Sequence, residues 1–219
     1  MKRWFGCVSA TAALAVLGFV SPVSADVILD TGGGNFPGDD NVIFQNCNGN
    51  ITGPANLIQG CLNSNHDTLV NFTSQDTIQA NGGQARIEGV PTFDDLGIAF
   101  ADANLGFTTL IFNVNAVNGD DGQITITVNL LNEPDVVFTA QNVSGAGSNF
   151  FRLSTINGEI IESVNIQSSV SVAVLFDDVR QIRIGSTELP TAVPEPTSMT
   201  LLGLGLVGVT MRRWRKRDS

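Results

Sequence analysis

Between Asp26 and Val193 the chain has no tyrosine, no tryptophan and no lysine, and a single histidine, His66. That shortage removes most of the acid, base and nucleophile inventory on which enzymes draw. Ser64, His66 and Asp67 sit close together in sequence, but near neighbours along a chain do not deliver the geometry of a catalytic triad, so His66 reads as a solvated loop residue. The missing Tyr and Trp also remove the aromatic platforms on which pyranose rings usually stack. The thirteen phenylalanines of the chain mostly fall in strand patterns, where they read as core.

Positive charge is equally scarce in this middle region. The formal net charge of −10 hides a segregation. From residue 26 to 193 there are 19 Asp and Glu against four arginines (Arg86, Arg152, Arg180 and Arg183), a balance of about −15. A surface so acidic repels phosphate backbones and anionic membranes, which excludes nucleic acid as a partner and admits divalent cations.

Cysteine is limited to three positions, and Cys7 lies in the first ten residues. The other two, Cys47 and Cys61, lack a second thiol at metal-binding spacing, and a single disulfide between them is the expected use.

What the chain does have is two marked ends. Lys2 and Arg3 precede an apolar stretch from Ala10 to Val20 and then Val23-Ser24-Ala25, the layout of a cleavable signal peptide over residues 1–25. At the other end, Val193-Pro194-Glu195-Pro196-Thr197 leads into an uncharged run from Met199 to Met211, followed by Arg212, Arg213, Trp214, Arg215, Lys216 and Arg217. Two prolines hold residues 194–196 extended, with an unpaired backbone that an enzyme can grip. As a helix, the apolar run covers roughly 20 Å against about 30 Å of hydrocarbon, so it spans only with help from Thr197 and snorkelling arginines. The chain therefore divides into a signal peptide (1–25), a central domain (26–190) and a tail (191–219), with the apolar helix expected over 199–211 and the basic cluster over 212–217.

A Pro-Glu-Pro triplet, a short apolar helix and a basic cluster, in that order, resemble the PEP-CTERM sorting signal of bacterial exported proteins. The resemblance implies an exosortase-like processing enzyme as partner, with Pro194, Glu195 and Pro196 as sorting motif and Arg212, Arg213, Arg215, Lys216 and Arg217 as basic stop cluster. It also implies a precursor held in the inner membrane by its C-terminal helix, then delivery to the cell surface or beyond.

The central domain reads as short strands bounded by turn chemistry. After a long polar excursion from Asn46 to Asn65, strands are expected over Thr68–Thr73, Thr77–Ala80, Gln84–Glu88 and Leu96–Ala101. Leu110, Phe112, Val114 and Ala116, then Asn118-Gly119-Asp120-Asp121-Gly122, then Ile124, Ile126, Val128 and Leu130 read as a β-hairpin. Further strands are expected over Val136–Ala140, Asn149–Ile156, Glu159–Ile166, Val170–Phe176 and Val179–Ile184, with Asn157-Gly158 as another hairpin turn. The fold class is all-β, an antiparallel and jelly-roll-like sandwich flanked by the signal peptide and the hydrophobic C-terminal helix. Phrases such as Phe93-Asp94-Asp95-Leu96, Asn149-Phe150-Phe151-Arg152 and Asp178-Val179-Arg180-Gln181 are similar to those of exported β domains carrying the same tail, a resemblance that implies no catalytic residues.

Four Asp pairs occur: Asp39-Asp40, Asp94-Asp95, Asp120-Asp121 and Asp177-Asp178. Carboxylate pairs suit glycoside hydrolysis or calcium binding, and calcium needs no aromatic partner. Asp120 and Asp121 are the candidate calcium ligands; no other cofactor is expected. The reading that follows is a non-catalytic, structural or adhesive surface or extracellular-matrix protein linked to exopolysaccharide. A carbohydrate-binding module is the alternative, and a glycoside hydrolase or lyase the third.

Overall fold

The computed structural model describes residues 27–31, 39–82, 86–117 and 119–188. The signal peptide, the expected helix over 199–211 and the whole tail motif lie outside them. Among the described residues there are twelve strands and no helix, hence none long and apolar enough to cross a membrane.

The strands are β1 (Val27–Thr31), β2 (Asp40–Ile43), β3 (Ala55–Leu62), β4 (Asn65–Ala80), β5 (Arg86–Phe93) and β6 (Asp95–Phe100). The second half supplies β7 (Leu105–Ala116), β8 (Gly122–Leu130), β9 (Val136–Val143), β10 (Asn149–Thr155), β11 (Ile161–Ser168) and β12 (Phe176–Glu188). Every ladder between them is antiparallel, in the order β1-β10-β7-β12-β2-β3-β4-β6-β11-β8-β9. Two long strands turn this path back on itself. Leu69–Thr73 of β4 lies against β3, and Ile78–Ala80 continues against β5. In β12, Phe176–Arg180 pairs with β5 and Arg183–Ile184 with β2, while β7 runs along its other side. The switch between partners falls at a bulge where Gln181 takes a left-handed φ of 56°. A bridge from Ile161 to Phe107 joins β11 to β7, so the all-β sandwich expected from the sequence is closed around one core.

Strand periodicity explains that core. In β8, Ile124, Ile126, Val128 and Leu130 are buried and alternate with half-exposed Gln123, Thr125, Thr127 and Asn129. Phenylalanines pair across the interior, Phe93 on Phe176 at 5.4 Å and Phe100 on Phe107 at 6.0 Å between ring centroids, in edge-on arrangements.

Several local expectations are corrected. β7 and β8 are consecutive but do not pair: β7 is buried on both faces from Leu110 to Val114 and lies between β10 and β12, whereas half-wet β8 lies between β11 and β9. Burial on two faces, not turn chemistry, chose the neighbours. For the same reason Asn157-Gly158 makes no hairpin, since β10 pairs with β1 and β7 while β11 pairs with β6, β7 and β8. The stretch Val170–Leu175 is irregular rather than a strand, and the two strands expected from Thr68 to Ala80 are one. The polar excursion conceals β3, where Gly60 lies so close to the Ile43 carbonyl that a Cβ would come within 2.8 Å of it.

Candidate functional site

Cys47 and Cys61 form the expected disulfide, with their Cα atoms 5.6 Å apart. Cys61 is wholly buried in β3 and Cys47 follows β2, so the bridge ties the loop after β2 to the core.

The Ser64, His66 and Asp67 grouping is not a triad. Ser64 donates both its hydroxyl and its backbone N–H to Asp40, and Asp67 accepts from the Asn48 amide. Neither contact is to His66.

The four Asp pairs meet different fates. In the first, Asp39 accepts from the Thr109 hydroxyl at 2.5 Å and Asp40 from Ser64. Asp120 and Asp121 are exposed in the connection between β7 and β8, where Asp121 accepts the Gly145 N–H at 2.8 Å. The carboxylates that do converge are Asp94 and Asp95 with Asp76 of β4, whose facing oxygens lie within 4.8 Å of one another. Burial first, and then the neighbouring Asp76 and Asp95 charges, push the Asp94 carboxyl above its ordinary value. Asp95 is held by the Ser74 hydroxyl and the Gln75 N–H, both at 3.0 Å.

Asp177 and Asp178 separate completely. From the sequence they fall at a break between strands, but both belong to β12, at a bulge after Phe176 that leaves Asp177 exposed and Asp178 fully buried, in register with Glu88 and Asn115. Asp178 meets Arg86, Arg180 and Asn115 there.

Next to the acidic group is a cleft of about 310 Å³, lined by Gln75, Asp95, Leu96, Thr127, Asn165, Ile166 and Gln167. It crosses four strands on the wet face of the sheet. Asn165 of β11 is in register with Thr127 of β8 on one side and Gly97 of β6 on the other, and Gln167 with Thr125 and Asp95. The sequence signal was the alternation of Asn165 and Gln167 with buried Val164 and Ile166. Nothing local pointed to Gln75, which reaches the site only because β4 pairs with β6.

No curated protein matches the chain. Among solved structures, CBM29_1, a family 29 carbohydrate binding module from Piromyces equi, aligns at 12% identity over 74% of this chain and 92% of its own, with a TM-score of 0.36, too low to bear on function. The model of the PEP-CTERM protein-sorting motif matches residues 192–216. Those residues contain Pro194, Glu195 and Pro196 and most of the basic cluster. The chain thus carries a PEP-CTERM sorting signal at the place its Pro-Glu-Pro triplet, apolar run and arginines indicate, which makes it an exported protein sorted and processed by an exosortase.

Proposed function

We propose that the β domain is a non-catalytic structural or adhesive component of the cell surface or extracellular matrix, held there through exopolysaccharide. The sorting motif at residues 192–216 carries this reading. A signal peptide over 1–25 would start export, the apolar run 199–211 would hold the precursor in the inner membrane, and the enzyme would act near Pro194–Pro196. The chemistry of the domain supports a passive role: Ser64, Asp40, Asp67 and Asp95 are engaged in bonds that fix loops and strand ends.

The test is fractionation of cells expressing the full chain. The wild-type protein is expected in the matrix or surface fraction, released by treatments that solubilise polysaccharide. Replacing Pro194, Glu195 and Pro196 by alanine should trap the precursor in the membrane fraction. A mutated protein that still reached the matrix in normal amount would defeat the reading.

A further inference from the structure

The wet face of the sheet sorts its amide side chains into two groups. On its flanks they are paired: Asn129 Nδ2 donates to Ser163 Oγ at 2.7 Å, Gln59 Nε2 to Asn71 Oδ1 at 2.9 Å and Gln123 Nε2 to Asn142 Oδ1 at 3.1 Å. Around the cleft they are not. The side-chain amides of Gln75, Asn165 and Gln167 make no hydrogen bond to another described residue, although they line the same hollow. Each offers two donors and an acceptor, and the Thr127 hydroxyl adds one of each.

Strand β6 makes room for them. Its outward positions are Asp95, Gly97 and Ala99, and the two small residues lie between longer side chains of β4 and β11. A Cβ on Gly97 would stand 2.5 Å from Thr73 Oγ1 and 3.0 Å from Asn165 Oδ1, so it is the missing side chain that lets Asn165 lie across β6. Leu96 and Ile166 border the cleft along the strands, but their side chains are buried on the core side of the sheet.

We propose that this cleft binds neutral hexose units of a polysaccharide through the Asn165, Gln167 and Gln75 amides and the Thr127 hydroxyl. The inference rests on the matrix reading above and names the ligand class. Hydroxyls that both donate and accept match amides that do the same. The four strands crossed give a length of roughly 14 Å at the usual strand spacing, enough for a short oligosaccharide. Charge selects against acidic sugars: no Lys or Arg lines the cleft, Asp95 does, and Asp76 and Asp94 stand beside it. With no aromatic platform, each site is weak, and retention on a polymer arises from repeated engagement of many copies.

The experiment is an NMR and calorimetric titration of the exported protein with gluco-, galacto- and manno-oligosaccharides, beside uronate oligosaccharides of equal length. Saturable binding of a neutral oligosaccharide is expected, with shifts centred on Asn165, Gln167 and Thr127. Asn165→Ala and Gln167→Ala should each weaken it roughly tenfold, the scale of one lost hydrogen-bonding group. Asn129→Ala, on the same face but outside the cleft, should not change it, and melting curves establish that all variants fold. No saturable binding of any neutral sugar, binding that survives the Asn165→Ala/Gln167→Ala double variant, preference for uronates, or loss of binding on adding EDTA would each overturn the assignment. Matrix retention without sugar binding sinks the cleft alone; sugar binding by a protein absent from the matrix sinks the matrix reading and leaves the cleft.

Discussion

Arg86 and Asp178 stand 92 positions apart in sequence and meet across β5 and β12, with Nη2 3.1 Å and Nε 3.2 Å from Asp178 Oδ2. The Asp178 side chain is fully buried, while that of Arg86 is 41% exposed. Arg180 Nε lies 3.5 Å from the other oxygen and Asn115 Nδ2 3.3 Å from the first. A buried charge is tolerable only with such partners. The arrangement fastens β5, β7 and β12 where β12 is about to change neighbours.

Removing the carboxylate should therefore loosen that junction. Asp178→Ala is expected to cost about 2–3 kcal/mol, near the low end for a broken buried pair because the arginines keep part of their hydration. Asp177→Ala, one residue away and exposed, should stay within about 0.5 kcal/mol of wild type. Urea denaturation of the two variants compares them directly, and equal effects would show that the ion pairs contribute nothing particular.

Reduction of the Cys47–Cys61 bridge opens a loop with a sequence separation of 14. The chain-entropy estimate for such a loop is about 3 kcal/mol, or a fall in Tm of roughly 6–12 °C for a domain of this size. Thiol titration of denatured, unreduced protein should find no free cysteine among the pair. Hydrogen exchange should quicken first in the loop after β2 and in β3, with β7 and β12 still protected.

The crowded carboxylates give a pH signature. Burial, Asp76 and Asp95 raise the Asp94 pKa above its unfolded value, so ionised Asp94 opposes folding at neutral pH. That opposition fades as pH falls through the raised folded-state value. Asp94→Asn is thus expected to raise Tm at neutral pH by roughly 1–2 °C, a small effect because the group is only slightly desolvated and most of it stays in contact with water. The gain should vanish by about pH 3, where the wild-type carboxyl is also neutral. Thermal melts across this range decide it, and a gain that persists in acid would mean the charges are not its cause.

Processing should be visible by fluorescence. Trp4 and Trp214 are the only tryptophans and the chain has no tyrosine, so cleavage after Ala25 and near Pro194–Pro196 would leave no strong near-ultraviolet chromophore. The released protein should be almost dark above the phenylalanine band, whereas a precursor keeping its tail should emit from Trp214, blue-shifted if the ring sits at the membrane interface. Intact mass gives an independent reading. A mature extracellular species that retained Trp214 would make the tail a permanent anchor.

Strand periodicity, the scarcity of cations between residues 26 and 193, the two-cysteine arithmetic and the order of Pro194-Glu195-Pro196, apolar run and arginines were all legible along the chain, because each is a property of neighbouring residues or of composition. Sorting signals are read by enzymes as linear text, so no fold was needed to find one. Partner choice among strands was not legible. The turns around Gly119 and Gly158 say that the chain reverses; whether β7 meets β8, or β10 meets β11, depends on which faces are buried, and that is decided by strands far away in sequence. The same holds for Asp178, which looks like one of four equivalent Asp pairs until β12 is continuous through it and Arg86 arrives from β5. Gln75, Thr127, Asn165 and Gln167 share a cleft only because four strands align in register. Short-range chemistry fixes where strands and turns begin, but the apolar surface each strand must cover is satisfied only by the whole fold, and the sites follow from that.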